Sequence, residues 1–207
     1  MLTDQLIQNG YLKTLRIIDA FKKIKRKDFI PDALKQEAEQ NCPLSIGYGQ
    51  TISQPLTVAF MLELLNPMPG DKILDIGSGS GWATALLAHC VSQQGKIIAI
   101  EIIPELIEFG KQNMAKYGFI KKSIVKFFCK DGSQGLARYA PYDKIHVAAE
   151  VQNQKVPQAL KKQLALGGRM VIPIKNGILK IDKISKNKFK QEFFPGFVFV
   201  PLVLVKK

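Results

Sequence analysis

The stretch from Lys72 to Ser92 constrains this chain more than any other. Lys72-Ile73-Leu74-Asp75-Ile76 is a short apolar run, Gly77-Ser78-Gly79-Ser80-Gly81 a turn of alternating small residues, and Trp82 opens a second apolar segment. The order predicts a buried strand, a tight turn and a helix over 82–92. Glycines at 77, 79 and 81 permit left-handed backbone and close approach to a ligand, and the first turn of the helix offers amides with no intrahelical partner. The alternation continues with a strand over 96–100, a helix over 104–117 opened by Pro104, strands over 124–129 and 142–148, a helix over 157–166 and a strand over 169–174. Such a pattern predicts an α/β fold, a doubly wound and mostly parallel sheet with helices on both faces, whose ligands bind beyond the carboxyl ends of the strands. Strand-like segments over 178–184 and 196–205, separated by a lysine-rich turn, predict an antiparallel C-terminal edge.

Residues 3–40 carry helix-like apolar faces through Leu6, Ile7, Leu12, Leu15, Ile17, Ile18 and Phe21, and Phe29-Ile30-Pro31 closes the segment as an N-terminal helical cap. Pro43, Gly47, Gly49 and Pro55 make 41–55 a loop, and a helix over 56–65 ends at Asn66-Pro67-Met68-Pro69-Gly70. With 207 residues, 46% of them apolar, one domain over 1–207 is expected, divided into a cap with its loop (1–70) and the α/β core (71–207). The first residues lack a basic flank followed by an apolar core, and no run approaches the roughly 18 apolar residues of a membrane span, so a cytoplasmic protein without membrane contact is expected. Cys42, Cys90 and Cys129 are an odd set without metal-ligand spacing; reduced thiols, no metal site and a monomer are expected.

The net charge of +13 raises the question of nucleic acid. Of 30 basic residues only Arg16, Arg26, Arg138 and Arg169 are arginine, although phosphate and base recognition favours the guanidinium fork. The denser runs, 22–27 and 175–190, read as solvated faces, and the composition argues against a nucleic-acid partner.

The glycine turn also discriminates among cofactors. Counting G-x-G-x-x-G from Gly77 puts Trp82 where a dinucleotide site needs its third glycine, and no Gly-Lys-Ser/Thr follows to make a phosphate loop. The compact G-x-G-x-G after Asp75 instead resembles motif I of class I methyltransferases, a family with a Rossmann-like fold. Glu101 ends the second strand as a carboxylate able to accept two ribose hydroxyls, and Asp131-Gly132 ends the third. The resemblance implies S-adenosyl-L-methionine as methyl donor and S-adenosyl-L-homocysteine as product. It assigns donor contacts to Asp75, Gly77, Ser78, Gly79, Gly81, Glu101, Ile102, Asp131 and Gly132, with Asp131 beside the adenine amine.

Ser45-Ile46-Gly47-Tyr48-Gly49-Gln50-Thr51-Ile52-Ser53-Gln54-Pro55 resembles the active-site loop of protein-L-isoaspartate O-methyltransferases. The likeness continues at Pro141 to Val147, Val156 to Leu160, Gly167 to Pro173 and Phe199 to Val203, and so covers nearly the whole chain. It implies methyl transfer to the free α-carboxylate of isoaspartyl residues in damaged proteins and peptides. The ester is a better leaving group than a carboxylate, so backbone attack then closes a succinimide that reopens partly to normal aspartate. A carboxylate is ionised at pH 7 and needs no general base, only an oriented donor. Ser53 is the implied catalytic residue, Thr51 and Ile52 shape the same wall, and His146 and Val147 are implied substrate contacts. Read by itself, His146 is a near-core histidine in an apolar strand and Trp82 is packing.

Two departures stand out. Leu56 replaces a residue that is often histidine or aromatic in the family, and 147–155 is longer and more charged than the small, apolar linker expected there. Glu150 would repel a carboxylate if it faced the site; a solvent-facing Glu150 is the expectation. The rival readings are a class I enzyme acting on a nucleic-acid base or small molecule, and a catalytically silent binding module. Against the first stands the lack of an Asn/Asp-Pro-Pro-Tyr/Phe tetrapeptide; against the second, intact Asp75, Glu101 and Ser53.

Overall fold

A computed structural model describes residues 2–151 and 155–202. Gln152, Asn153 and Gln154 of the unusual linker, and 203–205 of the last predicted strand, lie outside the described residues. Seven strands form the main sheet: β3 (Lys72–Ile76), β4 (Lys96–Glu101), β5 (Val125–Cys129), β6 (Tyr142–Val147), β7 (Leu164–Pro173), β8 (Gly177–Lys183) and β9 (Phe189–Pro195). Their order is β5-β4-β3-β6-β7-β8-β9. The five strands from β5 to β7 are parallel, and β8 and β9 form the antiparallel edge. The chain runs outward from β3 to β5 and then returns to the other side of β3 as β6. The switch point, where a crevice opens in sheets of this type, therefore lies between β3 and β6.

Successive residues of the central strands point to opposite faces and feed two cores. Ile73, Ile97, Ala99 and Val125 pack beneath α1 (Leu2–Gln8), α2 (Leu15–Lys23), α3 (Pro55–Leu65), α4 (Trp82–Val91) and α5 (Pro104–Ala115). Leu74, Ile76, Ile98, Ile100, Ile145 and Met170 pack on the other face with Leu160 of α6 (Gln158–Gln163) and Tyr142. Asp75 is the one polar residue in the interior of β3, and it is fully buried.

Several local expectations change. The N-terminal segment is not one helical run: α1 stops where Gly10 takes φ +72°, and after α2 the chain makes 3-10 turns at Arg26–Phe29 and Asp32–Glu37. The segment expected as loop contains a small antiparallel hairpin, β1 (Leu44–Gly47) with β2 (Gln50–Ile52), separate from the main sheet. Helix α6 is shorter than its apolar pattern, because Leu164 already pairs with Tyr142 as the start of β7. Among the described residues the last strand of the sheet is β9, rather than one over 196–202. Gly196, at φ +92°, follows Pro195 at the end of the ladder, and the lysine-rich segment expected as a turn supplies Lys190 to the strand. An edge strand tolerates lysines on its solvated side, so hydrophobicity did not mark it. Among the described residues no helix is long and apolar enough to cross a membrane.

Candidate active site

A cleft opens at the carboxyl ends of β3 and β4, where sheets of this type bind their ligands. One wall is the glycine turn. Gly77 and Ser78 donate backbone hydrogen bonds to the Ile100 carbonyl at 2.9 and 3.1 Å, Gly81 donates to Ser78 at 2.8 Å, and the Asn113 amide donates to the Ser80 carbonyl at 3.1 Å. Gly81 caps α4 at φ +88°, a conformation that strains any residue with a Cβ. Glu101 accepts from the amide of Gly79 at 2.9 Å through Oε2, and from those of Ile102 and Ile103 at 2.7 and 3.1 Å through Oε1. The carboxylate thus ties the turn to the end of β4.

Beneath the turn is a buried polar cluster. Asp75 and His146 face each other across the β3–β6 ladder, with His146 Nδ1 at 2.7 Å from Asp75 Oδ1. The Thr84 hydroxyl donates to Asp75 Oδ2 at 2.6 Å. With Asp75 ionised the carboxylate only accepts, and Nδ1 of His146 is then the donor. Both Asp75 oxygens are therefore engaged from inside the protein.

The opposite wall is the hairpin and its continuation, with Ile46, Gln50, Thr51, Ile52 and Ser53 on the cleft. Ile46 reaches across: a Cβ on Gly79 would come within 3.3 Å of its Cδ1. The floor and far end are Ile76, Ile100, Ala148, Ala149, Gly132 and the C-terminal segment Val200, Pro201 and Leu202. Gly132 has no room for a side chain, since a Cβ would collide with Ile76 Cγ2. Two buried polar atoms of lining residues, Ser78 Oγ and Trp82 Nε1, have no hydrogen-bond partner among the described residues. Buried polar groups are normally paired, so these donors suit a polar ligand seated in the cleft.

A family profile described as Protein-L-isoaspartate(D-aspartate) O-methyltransferase (PCMT) matches residues 1–207. The chain belongs to this family. It is 41% identical over 206 residues to the protein-L-isoaspartate O-methyltransferase of Aeropyrum pernix, covering 98% of this chain and 78% of that one. The Methanopyrus kandleri enzyme of the same name is 39% identical over 206 residues, with 98% and 89% covered. A Plasmodium falciparum protein assigned to the same activity, solved in complex with S-adenosyl-L-homocysteine, superposes with a TM-score of 0.87 over 98% of this chain and 96% of its own. At 24% identity that likeness establishes the Rossmann-like methyltransferase fold.

Of the residues expected at a site of this family, Thr51, Ile52, Ser53, Gly77, Ser78, Gly79, Glu101, Ile102 and Gly132 meet on the cleft. The other five are not among its lining residues. Asp75 and Gly81 lie behind the turn, and His146 and Val147, 2% and 0% exposed, lie beneath the floor. Asp131, between the lining residues Lys130 and Gly132, caps the next 3-10 turn by accepting from Ser133 N at 2.8 Å. His146 and Val147 point to opposite faces of β6, His146 onto Asp75 and Val147 into the second core. Glu150 is also turned away from the cleft. Its backbone pairs with Val200 and Leu202, and its carboxylate accepts from Asn176 N at 3.0 Å on the β7–β8 turn.

Trp82 and Lys130 line the cleft without having been expected there, whereas Ile46 and Val200 to Leu202 entered only as parts of the family likeness. Trp82 was read as packing, and it does pack, edge-on against Phe21. Nothing in its spacing shows that one edge also faces the cleft. Among the described residues no group of three or more His, Cys, Asp or Glu side chains is placed to hold a metal.

Proposed function

We propose that this protein transfers a methyl group from S-adenosyl-L-methionine to the free α-carboxylate of L-isoaspartyl residues in damaged proteins and peptides, and so starts their repair through a succinimide. The observation that carries the reading is one cleft with Ser53 on one wall and the glycine turn with Glu101 on the other, in a chain of this family. The donor supplies an electrophilic methyl: its S–C bond breaks as the O–C bond to the acceptor forms, and no proton moves. The protein's task is then positioning.

On this reading Glu101 accepts the ribose hydroxyls, exchanging some of its present amide partners for them, and Ser78 gives its unpaired hydroxyl to the donor. The backbone of Gly77 and Gly79, with Ile102 and Gly132, frames the donor, and Asp131 is assigned to the adenine amine. Asp75, Gly81 and His146 shape the turn from behind. Ser53 donates to one carboxylate oxygen while the other faces the methyl, and Thr51 and Ile52 keep the acceptor in register.

The same proposal makes residues 1–70 a cap and acceptor loop on a 71–207 core, in a single domain working as a cytoplasmic monomer; the three free cysteines are in keeping with a reducing compartment. Sedimentation at working concentrations should give one protomer. Labelled donor offered with an isoaspartyl peptide and its normal aspartyl counterpart tests the activity. Label should enter the isoaspartyl peptide alone, and equal labelling would sink the reading.

A further inference from the structure

The acceptor wall depends on a side chain that has no part in the reading above. Lys22, Lys23, Lys25 and Lys27 are exposed, as expected of a solvated face, but Arg26 in the same run turns inward and is 5% exposed. Its Nη1 donates to the carbonyls of Ala38 at 3.2 Å and Gln40 at 3.1 Å, and its Nη2 to those of Cys42 at 2.7 Å and Ser53 at 3.4 Å. The guanidinium carbon lies 5.6 Å from the centroid of the Trp82 ring, within cation–π range. Trp82 opens α4 directly after the glycine turn and also lines the cleft.

Removing a cation from water costs several kcal/mol, and every acceptor here is a neutral carbonyl. Burial pushes the guanidinium down to about 10, so it remains charged at neutral pH. A group held at such cost needs a geometric reason, and the hairpin supplies one. Leu44 pairs with Ile52, so Cys42 and Ser53 leave the open end of the hairpin on neighbouring legs. Arg26 holds both legs from one planar fork and sets its charge over the ring of Trp82, the residue after the glycine turn. The Ser53 bond is the longest of the four, and the 2.7 Å bond to Cys42 anchors the adjacent leg. Lysine could keep the charge but has neither the fork nor the flat face.

We infer that Arg26 is a positioning residue for methyl transfer: it fixes the main chain at Ser53 against the N-terminus of α4, and thereby sets the Ser53 hydroxyl at its working distance from the methyl donor. The inference rests on the function proposed above.

The test is a double-mutant cycle of wild type, Arg26→Lys, Ser53→Ala and the double variant, assayed on an isoaspartyl peptide, with donor affinity measured by calorimetry. Arg26→Lys should lower kcat about 30-fold with donor Kd within about 2-fold, because a displacement of roughly 1 Å costs that order of rate. In the Ser53→Ala background the same change should cost less than about 3-fold, because residues acting as a unit are not additive. Losses that multiply in the double variant, or an Arg26→Lys protein within about 2-fold of wild-type kcat, would overturn the inference. If urea unfolding shows Arg26→Lys unfolded, Arg26→Gln takes its place in the cycle; if neither folds, Arg26 is a structural cation and the inference fails. Inactive wild-type protein would sink the functional reading with it, whereas active wild type with independent losses sinks the role of Arg26 alone.

Discussion

The two walls of the cleft are held by different physical means. The wall proposed to hold the donor grows out of the sheet: its turn hangs on the Ile100 carbonyl, on Glu101 and on α4, with Asp75, His146 and Thr84 packed beneath it. The wall proposed to face the acceptor is a small hairpin that, among the described residues, has no ladder to the main sheet. It is held by side chains instead, with Arg26 on the Cys42 and Ser53 carbonyls and Asn41 Oδ1 accepting from Leu56 N at 3.0 Å. A wall continuous with the sheet inherits its rigidity. A wall held by side chains can be altered without unfolding the core, so the two should fail separately when mutated.

Ser53→Ala probes the acceptor wall and has the largest expected effect. Turnover on an isoaspartyl peptide should fall about 10²-fold, the order lost when a positioned donor is removed, with donor Kd nearly unchanged. A large loss of donor affinity would put Ser53 on the wrong wall. Glu101→Ala is the reciprocal test: donor affinity by calorimetry should weaken about 10- to 100-fold, in line with the roughly 1.5–3 kcal/mol of a hydrogen bond to a charged group. Unchanged affinity would break the assignment of this wall to the donor.

Asp75→Asn asks whether the buried cluster supports the turn. A neutral amide cannot match both donors, so urea unfolding should show a loss of about 1–3 kcal/mol, accompanied by weaker donor binding. Weaker donor binding with unchanged stability would instead indicate direct contact with the donor. The smallest effect is expected for Glu150→Gln. Its carboxylate sits on the Asn176 amide, away from the cleft, so kcat/KM for the peptide should stay within about 2-fold, the usual tolerance of a site outside the reaction. A marked rise would mean that Glu150 repels the acceptor after all.

The donor wall was largely legible in the sequence because its elements follow one another along the chain. Strand, glycine turn, helix and next carboxylate have fixed spacings, so Gly77, Gly79 and Glu101 could be placed without coordinates. Direct contact was not legible. Spacing puts Asp75 next to the turn but does not show that His146 and Thr84 occupy both its oxygens.

The acceptor wall is assembled from distant segments. Ser53 was found through family likeness, whereas Arg26 was hidden in a run whose lysines are all solvated. The sheet's edge failed for a related reason: β9 carries the polar residues of a solvated strand, so the apolar pattern shifted the prediction to 196–205.

The account turns on which atom receives the methyl group. An isoaspartyl peptide with a free α-carboxylate should be offered with labelled S-adenosyl-L-methionine beside the same peptide blocked there as an amide, with the product mapped by mass spectrometry. The account predicts a methyl ester on the free α-carboxylate and no label on the blocked peptide. Methylation of the blocked peptide at a comparable rate, or at a nitrogen of either peptide, would contradict it.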